Sequence, residues 1–354
     1  MTINAIKIML PAIMTFLIGY LTAPYYIKFL LKNELWKKKT QVKALSGGDA
    51  TVTQQLRSTH SGEISTPRLG GALIWAVVFI VTLIFWLGSN FFGIFPDKID
   101  FVSRNQTWII IFAMIGAGIL GAIDDISTCG KKVFLIGDRG LSFYWRLLVV
   151  FLLSLFIAYW FYFKLGFLSL FIPFFGYIHV GIFIIPVIIL ATIIMFSTSV
   201  IDGIDGLSGG LFTTAFFSYG VIAMSQNQID IAAFCFAVVG AVLAFLWYNI
   251  SPAQFYASET GLISLAITLT IVAFLTNQIF VLPIIALPLL SAPISGFLQV
   301  LSKKLRDKKI FLVAPMHHHF QAKGYKSETV VMRYWLFAII CSFLGVVIAL
   351  AGKL

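Results

Sequence analysis

The chain has 354 residues, of which 60% are hydrophobic and 11% are charged, and its formal net charge is +11 at pH 7. A soluble domain of this length does not carry so much apolar surface, so the composition excludes a soluble globular enzyme and predicts an all-α polytopic membrane protein. The three cysteines, Cys129, Cys235 and Cys341, are far apart in the sequence. Neither a disulfide framework nor a zinc framework is therefore expected.

Ten apolar segments are long enough to be transmembrane helices, and we expect them to form one integral membrane domain over residues 1–354. They lie at about 5–31, 69–92, 106–123, 142–163, 179–197, 209–224, 231–247, 261–275, 279–301 and 333–351. The segment 165–178 is also apolar, but Gly166, Pro173 and Gly176 interrupt it. A count that differs by one span is therefore the alternative.

The basic residues are distributed unevenly between the two sides of the predicted membrane domain. Three alternate loops, 32–68, 124–146 and 302–333, contain 19 of the 25 lysines and arginines. Because basic residues are enriched in cytoplasmic loops, we expect these loops in the cytoplasm and both termini outside.

Two pairs of acids lie at the cytoplasmic ends of predicted spans. Asp124 and Asp125 end the third span. Placing charged side chains there costs free energy, so their presence indicates a function. Asp202 and Asp205 are three residues apart, and each is followed by a glycine that lets a ligand approach the backbone. Ionised carboxylates suit Mg²⁺ binding or proton acceptance. A simple membrane boundary and a pair of Asx turns are the alternatives.

The segment after the seventh span adds polar and aromatic side chains on the same side of the membrane. Asn249 and Gln254 have amides that can pair with a ring amide, and Tyr256 can stack on such a ring or belong to an interfacial aromatic belt. Glu259 is a fifth acid on this side. No acid lies in the middle of a predicted span, which argues against a transporter or a proton relay.

Three consecutive histidines, His317, His318 and His319, lie in the last basic loop. On a helix they would diverge by about 100° per residue, and in an extended loop the middle one would face the other way, so a three-ligand zinc site is not expected. Imidazoles that donate to phosphate or hold a carboxylate are the favoured interpretation, and a solvated loop is the alternative. Acids, bases and glycine turns together indicate Mg²⁺-dependent chemistry on a pyrophosphate, with a lipid as the other reactant.

These segments resemble the phospho-N-acetylmuramoyl-pentapeptide transferase (MraY) family of polyprenyl-phosphate phosphosugar transferases. The similarity extends from Thr66 to Arg333 in the family's order and spacing. It rests on Thr66-Pro67 with Gly70-Gly71, Asp124-Asp125, Asp202-Gly203-Ile204-Asp205-Gly206-Leu207, Phe245-Leu246-Trp247-Tyr248-Asn249 with Pro252-Ala253-Gln254, and Pro315-Met316-His317-His318-His319-Phe320 with Lys323-Gly324. The histidine segment is the most specific, because it is typical of the pentapeptide branch.

The resemblance implies a homodimer of ten-helix subunits in the bacterial inner membrane, with an active cleft on the cytoplasmic face. Its reaction would move phospho-MurNAc-pentapeptide from UDP-MurNAc-pentapeptide to undecaprenyl phosphate, giving lipid I and UMP with Mg²⁺ as cofactor. Membrane lipids are the expected surroundings, and no nucleic-acid partner is expected.

The resemblance also implies roles for individual residues. It assigns catalytic positions to Asp124, Asp125, Glu259, His317 and His318, and Mg²⁺ binding to Glu259, Asp125 and Asp202. The substrate contacts that it implies are Asp202, Asp205, Asn249, Tyr256, Ser199, Arg68, His319, Gln299 and Arg146.

Several positions depart from the family's pattern. Ala257-Ser258-Glu259 stands where the family usually has Met-Gly-Asp, and Ser199 stands where an Asn is usual. Thr128, Glu63 and Arg146 stand where lysines are usual. A related enzyme with another UDP-sugar donor, or a catalytically impaired membrane scaffold, is therefore the alternative.

Overall fold

The computed structural model describes residues 2–36, 66–91, 93, 99–102, 105–130 and 140–353. Predictions about Glu63 and about the basic residues of 37–65, 94–98, 103–104 and 131–139 concern parts of the chain outside the described ranges.

Helices dominate the described chain. In order, the elements are α1 (Thr2–Lys32), α2 (Gly71–Asn90), α3 (Asn105–Thr128), α4 (Phe143–Tyr159), β1 (Ser169–Ile172), β2 (Gly176–His179), α5 (Ile184–Phe196), α6 (Leu207–Ser225), α7 (Ile229–Asn249), α8 (Ser258–Leu275), α9 (Leu282–Ile285), α10 (Leu287–Arg306), α11 (Met316–Ala322) and α12 (Ser327–Ala351). A π-helical turn (Trp160–Lys164) extends α4, and 3₁₀ turns (Gly181–Phe183, Ser197–Ile201) flank α5.

The length and composition of these helices make the chain a multi-pass membrane protein. Among the described residues, nine helices are long and apolar enough to cross a membrane, and α9 with α10 forms a tenth span if the bent pair counts as one. The expected ten-span helical protein therefore agrees with the structure when that pair is counted once. We call the end of the bundle where α3 ends and α8 begins the site end, and the other the opposite end.

The apolar segment 165–178 is not an additional span. It forms a hairpin in which β1 pairs with β2 in antiparallel register, Ser169 opposite His179 and Ile172 opposite Gly176. Phe174 (φ +68°) and Gly176 (φ +86°) provide the left-handed backbone of the turn, as tight hairpins require. The backbone N–H of Phe174 donates to Gly352 O at 3.1 Å, which ties the hairpin to the end of α12. The all-α prediction is corrected by this one hairpin.

The predicted ninth span, 279–301, is not one straight helix. Residues 279–285 and 287–306 meet at an angle of 77°. Pro288 lies in the first turn of α10, and proline disfavours the helical conformation of the residue before it and lacks an N–H for the preceding turn. The chain therefore breaks at Ala286, and α10 begins in a new direction.

Helix α8 occupies the centre of the bundle. Every residue of α8 except Glu259 is buried, and the helix packs against α2, α3, α5 and α6. Glycines permit this proximity: a Cβ on Gly71 would lie 2.1 Å from Gly261 Cα, and a Cβ on Gly121 would lie 2.3 Å from Glu259 O. Small residues let helices approach closely where lipid supplies no hydrophobic driving force. These contacts fix the first turn of α8 beside the end of α3.

Candidate functional site

Asp125 joins the end of α3 to the start of α8. It is completely buried, and its Oδ2 accepts hydrogen bonds from the backbone N–H (2.9 Å) and the hydroxyl (2.6 Å) of Thr260. The first N–H groups of a helix have no partner within that helix, and its N-terminus favours a negative charge. The other oxygen, Oδ1, lies 3.5 Å from Arg68 Nη1. Asp125 thus connects α3, α8 and Arg68.

Asp124, Arg146 and Glu259 form a charged chain beside it. Arg146 Nη1 lies 3.4 Å from Asp124 Oδ2 and 3.1 Å from Glu259 Oε1. Asp124 Oδ1 also accepts a hydrogen bond from the backbone N–H of Leu141 at 2.7 Å, just before α4. The Ser199 hydroxyl lies beside the Glu259 carboxylate. Glu259 and Arg146, two of the departures from the family's pattern, therefore contact each other.

Two carboxylate oxygens, where the end of α3 meets the start of α8, retain the capacity to bind a cation. Asp125 Oδ1 and Glu259 Oε2 are buried and accept no hydrogen bond. Anionic oxygens are the ligands that Mg²⁺ prefers, and Mg²⁺ commonly uses one or two carboxylates together with substrate phosphates and water. Within the described ranges, no group of three His, Cys, Asp or Glu side chains is arranged to hold a metal ion. The pair fits a magnesium ion that the substrate helps to coordinate.

Asp202 fastens the loop before α6 to the start of α8. Its Oδ1 accepts from the Ser208 hydroxyl at 3.1 Å, and its Oδ2 accepts from the backbone N–H of Ser258 at 2.9 Å. Burial raises the pKa of the Asp202 carboxyl, and the hydrogen bond from Ser258 opposes that shift. Because protein donors engage both oxygens, the geometry favours Asp202 as a loop anchor over the predicted Mg²⁺ ligand.

Asp205 and Asn249 fasten the same loop to residues 250–256. Asp205 accepts hydrogen bonds from Ala253 N and from the Tyr256 hydroxyl, both at 3.0 Å. Asn249 is buried; its Oδ1 accepts from Gly206 N at 3.0 Å and its Nδ2 donates to Phe255 O at 2.8 Å. The amide of Asn249 is thus used by the backbone, while the Tyr256 ring, half-buried, is held at its hydroxyl.

The first two histidines pack against the Asp202–Asp205 loop. All three lie on the short helix α11, and the rings of His317 and His318 are 4.3 Å apart. A Cβ on Gly203 would lie 2.8 Å from His318 Nε2 and 3.2 Å from His317 Nε2, so the loop has no room for a side chain there. Both ring nitrogens of His317 are buried without a hydrogen-bond partner. Burial, followed by the neighbouring His318, holds the pKa of His317 well below its usual range.

Two residues that were predicted to bind substrate instead form hydrogen bonds with residues 310–312. His319 Nδ1 accepts a hydrogen bond from Leu312 N at 3.1 Å. Gln299 Oε1 accepts from Ile310 N (3.1 Å) and Phe311 N (3.0 Å), and its Nε2 donates to Phe311 O at 2.9 Å. The helix directs His319 away from His317, and both His319 and Gln299 hold the chain that leads into α11.

Three site residues were not predicted from the sequence. Thr260 and Ser208 bond the buried acids, and a hydroxyl next to Glu259 or two residues after Gly206 is a weak signal for such a role. Ser258 has a left-handed backbone (φ +52°) and a buried hydroxyl without a hydrogen-bond partner. The sequence around Ser258 carries one signal of that conformation, because Ser258 stands where the family usually has glycine.

Comparison with known proteins gives one family. The profile described as Glycosyl transferase family 4 matches residues 107–299. The chain is also similar to proteins named phospho-N-acetylmuramoyl-pentapeptide-transferase. It is 29% identical to that of Anoxybacillus flavithermus over 348 residues, 98% of both chains, and 32% identical to that of Levilactobacillus brevis over 295 residues, 82% of this chain and 87% of the relative. For Latilactobacillus sakei the identity is 31% over 334 residues, 94% and 95% of the two chains. The matched profile range contains all five acids of the site.

Proposed function

Since the chain belongs to glycosyl transferase family 4, as a diverged member of the phospho-N-acetylmuramoyl-pentapeptide transferase family, we propose that it transfers phospho-MurNAc-pentapeptide from UDP-MurNAc-pentapeptide to undecaprenyl phosphate. The products are lipid I and UMP, and the cofactor is Mg²⁺. The full-length similarity to relatives of that name supports this donor.

The proposal includes an orientation and an assembly. The site end faces the cytoplasm of a bacterium, across the inner membrane from both termini, because most lysines and arginines lie in the loops of that end. A homodimer accompanies it, as the resemblance implies. The soluble UDP-linked donor then meets the lipid acceptor at the inner leaflet.

The observation that carries the proposal is the direct bonding of acids from three distant chain segments at one helix start. Asp125 bonds Thr260, Asp202 bonds Ser258, and Arg146 joins Asp124 to Glu259. Buried carboxylates, guanidinium groups and a buried neutral imidazole at one end of an apolar bundle are groups that bind a pyrophosphate and a divalent cation.

The reaction is an in-line displacement at phosphorus. An oxygen of the lipid phosphate bonds to the β-phosphorus of the donor, while the bond from that phosphorus to the bridging oxygen breaks and UMP leaves with the electron pair. Arg68 and Arg146 neutralise negative charge, and Asp124 is held in place by Leu141 N and Arg146. His317, neutral when buried, can donate one hydrogen bond to a phosphate oxygen. Asp125 and Glu259 would hold Mg²⁺, and the bound ion would supply further charge neutralisation on the pyrophosphate.

The test is a transferase assay on the purified full chain in detergent. Undecaprenyl phosphate and UDP-MurNAc-pentapeptide are added with Mg²⁺ or with a chelator, and UMP and lipid product are measured. We expect both products only with Mg²⁺, and an Asp125→Asn variant should lose at least about a hundredfold in rate, because it loses a charge at a buried anchor and cation ligand. The matched control is Asp307→Asn, an exposed acid whose left-handed backbone (φ +53°) asparagine tolerates.

Other outcomes would change the proposal in distinct ways. Turnover with UDP-GlcNAc but not with UDP-MurNAc-pentapeptide would replace the donor and keep the chemistry. A folded protein that is silent with every donor, with Asp125→Asn complementing cells as well as the wild type, would replace the enzyme by a membrane scaffold.

A further inference from the structure

An apolar cavity lies at the site end, outside the acidic cluster. It has a volume of about 300 Å³ and lies between α10, α11 and α12. Met316 and Phe320 of α11 line one side, and Val330, Tyr334 and Phe337 of α12 line the other. The cavity is partly open, and its apolar lining suits part of one hydrocarbon chain.

The cavity has a cationic rim. Arg333 is exposed and lines the opening, with its guanidinium 4.6 Å from the centre of the Tyr325 ring. In the part of the chain that the structure describes, no carboxylate lies within salt-bridge distance of Arg333. Lys323 and Lys326 do not line the cavity, but both are exposed in the turn between α11 and α12, where Glu328 is the exposed acid that follows them. The cationic rim thus consists of Arg333, with the two lysines nearby in the chain, and the rest of the lining is almost wholly apolar.

We propose that this cavity binds an anionic phospholipid, with one acyl chain against Phe320 and Phe337 and the phosphate on Arg333. Apolar walls below a cationic rim match a molecule that is apolar at one end and anionic at the other. The position agrees with this occupant, because the candidate membrane span of α12 begins at Ser327, directly after Lys326. Juxtamembrane basic residues attract anionic headgroups.

The occupant would support the helix that carries the histidines. Met316 and Phe320 are four residues apart, so they lie on one face of α11 and both contact the cavity. The start of α11 is held by a hydrogen bond of 2.8 Å from Met316 N to Ser295 Oγ. Filling the cavity buttresses α11 on this face, while His317 and His318 pack against Gly203 on another. The binding site itself does not depend on the proposed function.

The test uses lipid labelling, which needs no transferase activity. The full chain is reconstituted in phosphatidylcholine vesicles that contain a trace of phosphatidylglycerol with a photoactivatable acyl chain, and labelled peptides are mapped. We expect labels on residues 316–337, and Arg333→Gln should reduce them about fivefold, the effect of one surface cation on an anionic lipid. Val330→Phe, which fills the cavity, should remove them, and Arg306→Gln, an exposed arginine at the end of α10, should leave them unchanged.

Four results would overturn the inference. Equal labelling by a photoactivatable phosphatidylcholine would show that the negative charge of the lipid headgroup does not contribute to binding. Labelling that Arg333→Gln does not reduce would contradict the proposed site. The absence of labels from residues 316–337 would contradict it as well. Competition by undecaprenyl phosphate but not by unlabelled phosphatidylglycerol would assign the cavity to the prenyl substrate. Melting temperatures of all variants in the same vesicles distinguish misfolding from lost binding.

Discussion

Glu259 and Arg146 can be tested as a coupled pair. Glu259 Oε1 lies 3.1 Å from Arg146 Nη1. Glu259→Asp withdraws the carboxylate by one C–C bond, about 1.5 Å, so the separation becomes roughly 4.6 Å, beyond the ~4 Å limit of an ion pair. Arg146→Lys removes Nη1 and leaves a single ammonium group. The double variant restores the Asp and Lys that the family usually has at these positions.

The expected magnitude follows from the environment of the pair. A hydrogen bond to a charged group contributes about 1.5–3 kcal/mol. Both side chains are 23% exposed, so solvent screening favours the lower limit, about 1.5 kcal/mol. If the pair positions Glu259 for catalysis, each single variant loses about tenfold in rate. The double variant should then be no slower than the slower single variant, with a coupling free energy of about 1 kcal/mol or more.

The assay is the initial rate of UMP release by the four proteins at saturating Mg²⁺, together with their melting temperatures. Asp230→Glu is the matched control, because Asp230 pairs with Lys7 at the opposite end of the bundle. Additive losses, which make the double variant about a hundredfold slower than the wild type, would refute the coupling. A wild-type rate for Glu259→Asp alone would refute the importance of the contact.

Three further predictions concern stability. Gly121→Ala should destabilise the protein by about 1–3 kcal/mol, because the new Cβ would lie 2.3 Å from the backbone of Glu259. Gly116→Ala is the control and should be neutral, because the nearest atom to its Cβ would be 3.6 Å away. Thermal melting of both variants in one detergent compares them. With φ +52° at Ser258, Ser258→Gly should be more stable than Ser258→Ala by about 1 kcal/mol in a chemical denaturation, and the reverse order would contradict that backbone. Since the folded pKa of His317 is depressed, the unfolded chain binds the extra proton below about pH 6.5, so the melting temperature should fall there, and less in His317→Asn.

The sequence predicts the spans well because a bilayer imposes a simple length requirement. Runs of about 20 apolar residues are needed to cross it, and the predicted limits of α2 and α7 lie close to the observed ones. The break at Ala286 is different, because composition reports the length of a span and not its direction. Segment 165–178 was ambiguous for another reason, because four-residue strands are too short to show a clear period.

The acids of the site were predictable because charge at a span end is expensive. Their partners were not, since the donors from Leu141, Ser258 and Thr260 are backbone N–H groups that every residue except proline carries. The direction of His319 and Gln299 also depends on packing, because the sequence leaves open whether the histidines form a helix or a loop. The functional assignments that rest on resemblance remain predictions until the variants above are measured.

The burial of α8 has a consequence for how this protein changes in evolution. A helix enclosed on all sides has no face on which a substitution is neutral, so a change there requires a matching change on a neighbouring helix. Most side chains of α4 and α12 are not buried, and lipid accepts many apolar residues. Divergence to 29–32% identity should therefore have accumulated mainly on the outer helices. Changes at the buried positions of α8 should therefore appear as linked pairs on two helices.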